Sequence, residues 1–329
     1  MVKQDAIVVG VDSGGTKTIA CAVTVDGRIV GIGYGGPTNA IFVPEGDAIY
    51  AMREAVAAAL GVTLSDPIAV PEVQSIYLSA PGFSADSAER ALRDMCPEAQ
   101  LKVEGDSPAV FRAAIPSGDG IVVLSGTGSF AAGMWKGKWL TNGGWGPLLG
   151  DEGSGYWIGL EALKAVTLAA DKRGPESLLQ EIFRRALRYS FDEELRRFVY
   201  KKSLNRQRIA GLTILVAQAA RDGDAVARSI LVQAGQKLSE LAVNLASRLE
   251  FDGDELAVSL LGGVARKDSL VIASFQEAIK QAIPGANYVV PRLEPWAGAV
   301  LLAMEMMSYD VSTNLFAGME NIARQSASA

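Results

Sequence analysis

Two glycine-rich turns, each directly after an apolar strand, constrain this chain most. The first, residues 12–18, reads Asp-Ser-Gly-Gly-Thr-Lys-Thr and follows the apolar stretch 6–11. The second, residues 125–129, reads Ser-Gly-Thr-Gly-Ser and follows the apolar stretch 121–124. Because glycine has no Cβ, such turns let backbone N–H groups and hydroxyls approach an anion closely. The pair therefore predicts a ligand with several phosphate groups, and a nucleotide is the first candidate.

The two turns belong to two similar segments of the chain. In each segment a strand enters the turn, a second strand leaves it, and a two-residue reversal leads into a third strand. The reversal is Asp26-Gly27 in the first segment and Lys136-Gly137 in the second. Helices and strands are then predicted to alternate, so each segment is expected to form a mixed βββαβαβα sheet flanked by helices. Residues 156–249 are predicted to be a helical insertion in the second segment.

The remaining elements follow from apolar spacing and turn residues. The predicted helices are 46–60, 86–95, 269–283 and 297–307, and the predicted later strands are 73–78, 101–103, 256–261 and 287–290. We expect an N-terminal lobe of residues 1–115, which the C-terminal segment 308–329 completes. The second lobe is expected to comprise residues 116–307.

The composition narrows the chemistry. Among 329 residues there is no histidine, and the cysteines are Cys21 and Cys96. Histidine-based nucleophile pairs, histidine zinc sites and a disulfide framework are therefore excluded, and acid–base work falls to carboxylates, lysines or a bound cation. The net charge of −6, with both signs well mixed, argues against a nucleic-acid partner. Without a long apolar run or the apolar core of a signal peptide, we expect no membrane contact and a cytoplasmic location.

Some motifs have an ordinary structural explanation beside a functional one. Residues 12–18 could be a hairpin turn that needs glycine, and they are not a Walker A loop, because Thr16 precedes Lys17 and a strand follows. The stretch 31–36 matches G-x-G-x-x-G, but it ends a strand and runs into a proline rather than a helix. We therefore reject a dinucleotide site there and keep Asn39, just beyond it, as a candidate.

Two further positions also have both a structural and a functional explanation, whereas one stretch points more clearly to a ligand. Asp106 lies where a short strand meets a helix start, which suits a plain N-cap, but such folds also bind ligands at the carboxyl ends of strands. The pair Gly262-Gly263 is either an ordinary strand end or bare backbone against which an adenine could lie. The stretch 142–155 holds six glycines around one tryptophan and two carboxylates. That combination suits a carbohydrate site, because carboxylates accept from vicinal hydroxyls beside an aromatic wall.

Taken together, these motifs resemble those of sugar kinases in the actin, hexokinase and heat-shock-chaperone ATPase superfamily. The resemblance is strongest to the N-acetylglucosamine kinase family, which is grouped with the BadF/BadG/BcrA/BcrD-type ATPases, and it covers nearly the whole chain. Residues 12–18 resemble the first phosphate loop, 125–129 the second, 144–154 the sugar loop and 262–264 the adenosine motif. The resemblance implies duplicated ribonuclease H-like (actin-like ATPase) domains of the α/β class and a homodimer. It also implies an ATP- and Mg²⁺-dependent 6-kinase of a hexose or amino sugar, with N-acetylglucosamine as the expected substrate.

The resemblance further implies roles for individual residues. It makes Asp106 the general base that takes the proton of the sugar 6-hydroxyl, and Asp12 the residue that holds Mg²⁺ through water. The residues expected to bind the sugar are Asn39, Ser129, Gly144, Trp145, Gly146 and Asp151. Those expected to bind ATP are Gly14, Gly15, Thr16, Lys17, Gly126, Thr127, Gly262 and Gly263. Phe130 stands where the human-type enzymes carry an asparagine, which leaves the identity of the sugar open.

Several alternatives remain. A glucosamine kinase or a broad-specificity hexokinase or glucokinase would use the same site. The repressor-related sugar kinases share the Gly-Gly-Thr-Lys loop but usually carry a zinc-binding cluster of cysteines and a histidine, which this chain lacks. An activator ATPase of the BadF type would need a cysteine in a glycine-rich loop, whereas Cys21 lies in a predicted strand and Cys96 follows a predicted helix. The sugar loop disfavours a non-enzymatic, actin-like switch.

Overall fold

The computed structural model describes residues 6–15, 17–39, 43–64, 69–116, 118–188, 192–200, 206–253, 255–267, 269–309 and 313–328. The chain forms two compact units, one of Met1–Ser117 with Pro291–Ala329 and the other of Gly118–Val290. Each unit holds one mixed sheet of five strands. The predicted α/β class with two sheets is confirmed.

The elements are numbered along the chain. The strands are β1 (Ile7–Ser13), β2 (Thr18–Thr24), β3 (Ile29–Gly35), β4 (Val73–Ser79), β5 (Gln100–Glu104), β6 (Gly120–Ser125), β7 (Ser129–Trp135), β8 (Lys138–Gly143), β9 (Leu256–Leu261) and β10 (Ala286–Tyr288). The helices of the first part are α1 (Glu45–Leu60), α2 (Ala85–Leu92), α3 (Ser107–Ala114), α4 (Gly155–Ala170), α5 (Leu179–Leu187), α6 (Asp192–Tyr200) and α7 (Arg206–Gly211). Those that follow are α8 (Thr213–Arg221), α9 (Ala225–Arg248), α10 (Gly263–Lys267), α11 (Ser269–Ala282), α12 (Pro295–Met306) and α13 (Thr313–Ser328).

The first unit is a sheet with helices on both faces. Its strand order is β3-β2-β1-β4-β5, with β1, β2 and β3 antiparallel and β1, β4 and β5 parallel. Helices α1 and α2 cover one face, and α3, α12 and α13 cover the other. Gly10 of β1 lets α12 approach, because a Cβ there would lie 2.1 Å from the backbone nitrogen of Val300. Because β1, β4 and β5 are parallel, their carboxyl ends lie at the same end of the sheet.

The C-terminal return differs from the sequence expectation. The whole segment Pro291–Ala329 belongs to the first unit, whereas residues 291–307 were expected in the second lobe. Helix α12 buries Trp296, Val300 and Met304 against β1 and β4. Its residues are apolar on nearly every side, so the pattern marks a buried helix without indicating which sheet it covers. The terminal segment, for which no element was predicted, forms α13, where Leu315 is buried in the same core.

The second unit repeats the strand plan. Its order is β10-β9-β6-β7-β8, with β6, β7 and β8 antiparallel and β6, β9 and β10 parallel. Helices α4 to α9 lie between β8 and β9 and share one apolar core with the sheet. The last strand pairs with β9 over only three residues, so it is shorter than predicted and leaves Val290 exposed. None of the helices in the described part of the chain has both the length and the apolarity to span a bilayer.

Candidate active site

The first glycine turn joins β1 to β2. The backbone N–H of Gly14 donates to the carbonyl of Lys17 (3.2 Å), which closes the turn. A Cβ at Gly14 would meet nothing within 4 Å, so the space beside this glycine is open. Gly15 and Lys17 are exposed. Thr16, the fourth residue predicted to bind ATP here, lies outside the described residues.

Three buried hydroxyls hold this turn in place. The Ser13 hydroxyl hydrogen-bonds to those of Thr18 (2.6 Å) and Thr38. The Thr18 hydroxyl also donates to the carbonyl of Gly36 (2.7 Å). These bonds tie the two ends of the turn to the chain that leaves β3, and thus fix the turn's position next to Asn39.

Two partly buried carboxylates lie at the carboxyl ends of strands of the first sheet. Asp12 is near the end of β1, and Asp106 follows β5 at the start of α3. Burial, with the negative charge of Asp106 as a smaller cause, raises the pKa of Asp12 to about 6, although Lys17 opposes the shift. Burial also raises the pKa of Asp106, against backbone hydrogen bonds from its own N–H and that of Ser107. Apart from the bond from Ser107, the first residue of α3, the Asp106 side chain makes no N-cap hydrogen bond, so the usual N-cap does not account for this residue.

Two other residues near Asp12 had no role in the sequence predictions. Glu294, at the N-cap position of α12, adds to the negative charge that raises the pKa of Asp12. Ser79 is paired with Asp12 in the β1–β4 register, and its buried hydroxyl has no hydrogen-bond partner among the residues that the structure describes. Neither carries a motif, and their nearness to Asp12 follows only from the tertiary fold.

Asn39, predicted to bind sugar, lies against the turn after β4. A Cβ at Gly82 would lie 2.6 Å from the Asn39 Oδ1, and Gly82 has a φ of +82°. Glycine is therefore required at position 82 both by the backbone and by the Asn39 side chain. Asn39, Asp12 and Asp106 all belong to the first unit.

The second glycine turn is bound to the start of α4. The Gly126 N–H donates to the Gly128 carbonyl (2.9 Å) within the turn. The first amides of α4 donate to the turn as well, from Gly155 to Gly126 (2.8 Å) and from Tyr156 to Thr127 (3.3 Å). The second turn is therefore hydrogen-bonded to the first turn of the helix that follows it.

Asp151 is held beside the second turn. Its side chain is 3% exposed; Oδ1 accepts from the Ser129 N–H (3.3 Å), and Oδ2 forms an ion pair with Arg206. The hydroxyl of Ser129 donates to the carbonyl of Glu152 (2.8 Å). The structure thus brings the two predicted sugar residues Ser129 and Asp151 together. It adds Arg206, which follows a stretch without a recognisable motif and was not predicted.

The predicted sugar loop is exposed where it leaves β8. Gly144 and Gly146 have φ values of +74° and +84°, so this loop needs glycine at both positions. Between them Trp145 is 73% exposed, and Leu148 and Leu149 are exposed too. The loop therefore presents an apolar surface close in sequence to the buried Asp151.

A cavity of about 630 Å³ lies in the second unit. It is lined by Gly126, Thr127, Gly155, Gln207, Ala210, Gly211, Thr213, Ile214, Ala217, Arg221, Gly263 and Val264. This volume suits a small organic ligand such as a nucleoside. The cavity is lined by residues of the second turn and of the strand end after β9, for which ATP binding stays a prediction, and its other wall comes from α7 and α8, which no motif marked.

The glycine pair after β9 divides into two roles. Gly262 has a φ of +102°, and a Cβ there would lie 2.3 Å from the Ser125 carbonyl oxygen, so this glycine allows close packing of β9 on β6. Gly263 has nothing within 4 Å of its Cβ position and lines the cavity. The structure therefore places Gly263, rather than Gly262, where a ligand could contact it.

The donors available to metals are few. No three or more cysteine, aspartate or glutamate side chains form a metal site within the described ranges. Both cysteines are buried, and burial raises the pKa of each thiol to about 12. Magnesium needs no such cage, because it commonly binds one or two carboxylates together with substrate phosphates and waters. The partly buried carboxylate of Asp12, next to the first turn, fits that requirement.

Comparisons with known proteins place the chain among phosphotransferases and their relatives. It is 30% identical over 314 residues to the N-acetyl-D-glucosamine kinase of Dictyostelium discoideum, covering 91% of this chain and 98% of that protein. It is 27% identical over 301 residues to the N-acetylmuramic acid/N-acetylglucosamine kinase of Clostridium acetobutylicum, covering 90% and 97%. The names of both relatives agree with the family resemblance inferred from the motifs.

Solved structures share the fold. One from Chromobacterium violaceum, provisionally named an N-acetylglucosamine kinase, has a TM-score of 0.71 at 24% identity and covers 91% of this chain and 99% of its own. A ROK family glucokinase from Streptomyces griseus has a TM-score of 0.54 at 18% identity, covering 92% and 99%. The model of the BadF/BadG/BcrA/BcrD ATPase family matches residues 9–303, most of the sequence. The chain therefore belongs to the BadF/BadG/BcrA/BcrD ATPase family.

Proposed function

We propose that the protein is an ATP-dependent kinase that transfers the γ-phosphate of ATP to the 6-hydroxyl of N-acetylglucosamine. The observation that carries this proposal is Asp106, a partly buried carboxylate at a helix start that makes no N-cap hydrogen bond and whose pKa is raised by burial. A carboxylate with a raised pKa at this position suits a general base. The names of the two relatives supply the substrate class.

In this proposal Asp106 takes the proton of the 6-hydroxyl while the hydroxyl oxygen attacks the γ-phosphorus and ADP leaves. Phosphoryl transfer requires mainly positioning and charge neutralisation, so one carboxylate is enough in a chain without histidine. Burial raises the pKa of Asp106, which makes the ionised form a stronger base than an ordinary aspartate. Asp12 would hold Mg²⁺ through water, and the ion, bound with ATP, would neutralise phosphate charge.

The other proposed contacts fall into two groups. The sugar is bound by Asn39, Ser129, Gly144, Trp145, Gly146 and Asp151. The phosphates of ATP contact Gly14, Gly15, Thr16, Lys17, Gly126 and Thr127, and its adenosine occupies the 630 Å³ cavity with Gly263 as one wall. Gly262 supports that wall from behind through its packing on Ser125. A homodimer and a cytoplasmic location are part of the proposal.

A panel of acceptors tests this proposal. ADP release would be measured with N-acetylglucosamine, N-acetylmuramate, glucosamine, glucose and no sugar, each with and without Mg²⁺. We expect Mg²⁺-dependent turnover that is fastest with N-acetylglucosamine, and product analysis by NMR should place the phosphate at O6. N-acetylmuramate is included because one relative's name contains it. Sugar-independent ATP hydrolysis at the same rate as with every acceptor would contradict a sugar kinase.

The activator ATPase is the competing function within this family. It would need cysteine thiolates for a shared iron–sulfur cluster. Cys21 and Cys96 are both buried, with thiol pKa values raised to about 12, which argues against such a role. Purified protein without visible absorption from a cluster, even after anaerobic reconstitution with iron and sulfide, would agree with the kinase proposal.

A further inference from the structure

The carboxylate of Asp151 is not available to a ligand in this structure. Its side chain is only 3% exposed, and both oxygens already have partners. Oδ1 accepts from the Ser129 N–H (3.3 Å), and Oδ2 from the Arg206 guanidinium. A sugar hydroxyl that donates to Asp151 must therefore gain access to a carboxylate that other groups now cover.

Arg206 is the partner of Asp151 that can most easily give way. The Ser129 N–H belongs to the backbone of β7, next to the hydrogen-bonded second turn, and is fixed there. The side chain of Arg206, in contrast, is long and 43% exposed, so its guanidinium can return to water at low cost.

Arg206 also occupies the space next to the second turn. A Cβ at Gly128 would lie 2.4 Å from its Nη2 and 2.8 Å from Oδ2 of Asp151. The guanidinium therefore lies directly against the turn on which Thr127 and Ser129 are carried. A sugar bound to Ser129 and Asp151 would need part of this space.

We propose that Arg206 is a latch on the sugar site: it pairs with Asp151 while the site is empty, and sugar hydroxyls replace it when the sugar binds. The latch rests on the proposed sugar-binding role of Asp151. In the free protein it satisfies a buried carboxylate, which would otherwise be costly to leave without a partner. On sugar binding the pair is broken, so part of the binding energy is used to release Arg206.

If Arg206 is a latch, it is a positioning residue, and its removal should strengthen sugar binding rather than weaken it. The change Arg206→Gln removes the charge but keeps a similar side-chain shape. Without the ion pair, the free state is destabilised while the sugar-bound state is affected much less. We therefore expect Arg206→Gln to lower the Kd for sugar by about three- to ten-fold, since a half-exposed pair is worth less than a buried one. Arg206→Lys, which keeps the charge, should return the Kd close to that of the wild type.

The experiment combines calorimetric titration with thermal unfolding. N-acetylglucosamine is the probe, and Arg208→Gln, on the same helix α7, is the matched control. The free Arg206→Gln protein should unfold at a lower temperature than the wild type, and saturating sugar should raise its Tm by more. Arg208→Gln should change neither the Kd nor the sugar-induced Tm shift.

Asp151→Asn separates failure of the latch from failure of the sugar site. If Asp151→Asn leaves the sugar Kd unchanged, Asp151 does not bind sugar and the proposed site itself is wrong. If Asp151→Asn weakens binding but Arg206→Gln weakens it too, Arg206 stays on Asp151 in the complex and the latch is wrong. An unchanged Kd in Arg206→Gln, with Asp151→Asn still impaired, would also overturn the latch.

Discussion

The two units share one strand plan but treat their carboxylates in opposite ways. In both sheets three consecutive antiparallel strands stand beside two strands that run parallel to the first of them, and a glycine turn joins the first two strands. In the first unit Asp12 and Asp106 are partly buried and form no ion pair with a described residue, and their pKa values are raised. The second unit pairs its buried carboxylate, Asp151, with Arg206.

This difference indicates a division of labour. A buried carboxylate without a cation is costly to the fold but basic, which suits proton transfer or a bound metal ion. A carboxylate held by an ion pair and a backbone N–H is a fixed acceptor for hydroxyls, which suits recognition. Asp12 and Asp106 lie at strand ends of the first sheet, whereas Asp151 lies in the loop between β8 and α4, so the two units place their carboxylates on different parts of a shared strand plan.

The largest expected effect is on turnover after Asp106→Asn. The amide keeps the shape of the side chain but cannot take the 6-hydroxyl proton, so the rate of sugar phosphorylation should fall by about 10² to 10⁴. Single-turnover kinetics would measure the rate, and titration with an ATP analogue should show nearly unchanged nucleotide affinity. Asp86→Asn, at the exposed start of α2, is the matched control and should retain full activity. Turnover of Asp106→Asn within a few-fold of the wild type would remove Asp106 from the mechanism.

Asp12→Asn should raise the free energy of unfolding, and it should lower the proposed Mg²⁺-dependent kinase activity. The pKa of Asp12 is about 6 in the folded state and 3.8 as the ordinary value, so between these the folded state binds more protons. Stability therefore falls as pH rises from about 4 to about 6, and the ionised residue remains a cost above pH 6. At pH 8 we expect Asp12→Asn to unfold with about 1 to 3 kcal/mol more free energy than the wild type, and below pH 4 with no difference.

Asp26→Asn, in the same unit, should change the stability at pH 8 in the opposite direction. Asp26 is fully exposed, and a hydrogen bond from the Thr24 hydroxyl lowers its pKa. Its contribution to stability is therefore present at neutral pH and lost in acid, so Asp26→Asn should destabilise the protein at pH 8. Urea unfolding of both variants at pH 4 and pH 8 would measure this contrast. A loss of stability in Asp12→Asn at pH 8 would mean that Asp12 is paired in solution.

A glycine-to-alanine substitution in each glycine turn compares how much free space the two turns have. A Cβ at Gly128 would lie 2.8 Å from the Asp151 carboxylate, whereas a Cβ at Gly14 would meet nothing within 4 Å. We expect Gly128→Ala to lower the free energy of unfolding by about 1 to 2 kcal/mol and to weaken sugar binding, since Arg206 can move but Asp151 is fixed. Gly14→Ala should be nearly neutral for stability. Equal effects on urea unfolding would show that the second turn is as open as the first.

The sequence predicted well where a pattern is local. The strands around both turns, the helical region after β8 and the carboxylate at the start of α3 each carry a signal within a few residues. The sequence did not predict contacts between elements that are far apart along the chain. Helix α12 is apolar on nearly every side, so nothing in its pattern showed that it packs on the first sheet rather than the second.

The site followed the same rule. Asp12 and Asp106 are candidates from the sequence because a glycine turn and a strand end mark them, and their roles stay predictions. Arg206 and Glu294 could not be predicted, because each meets its carboxylate only through the tertiary fold. Helices α7 and α8 form one wall of the cavity. They belong to the helical insertion of the second unit, and the first unit has no such insertion, so the similarity of the two segments could not indicate this wall.

The smallest expected effect concerns the choice of sugar. Phe130 is partly buried on β7 and faces the start of the exposed loop, since a Cβ at Gly144 would lie 3.4 Å from its Cβ. Phe130→Asn adds an amide at the edge of the proposed sugar site that can hydrogen-bond to a polar substituent. We expect kcat/KM for N-acetylglucosamine to rise relative to glucose by about three- to ten-fold, the range of one modest hydrogen bond.

Phe130→Leu is the control for this last change, because it removes the ring without adding polarity. Both variants lose aromatic packing and should be similarly destabilised, so stability alone cannot separate them. If specificity depends on the polar group, the kcat/KM ratio should shift in Phe130→Asn and stay at the wild-type value in Phe130→Leu. The same shift in both variants would mean that the size of the side chain, rather than its polarity, sets the preference. In that case recognition in the second unit would rest on shape at this position and on charge only at Asp151.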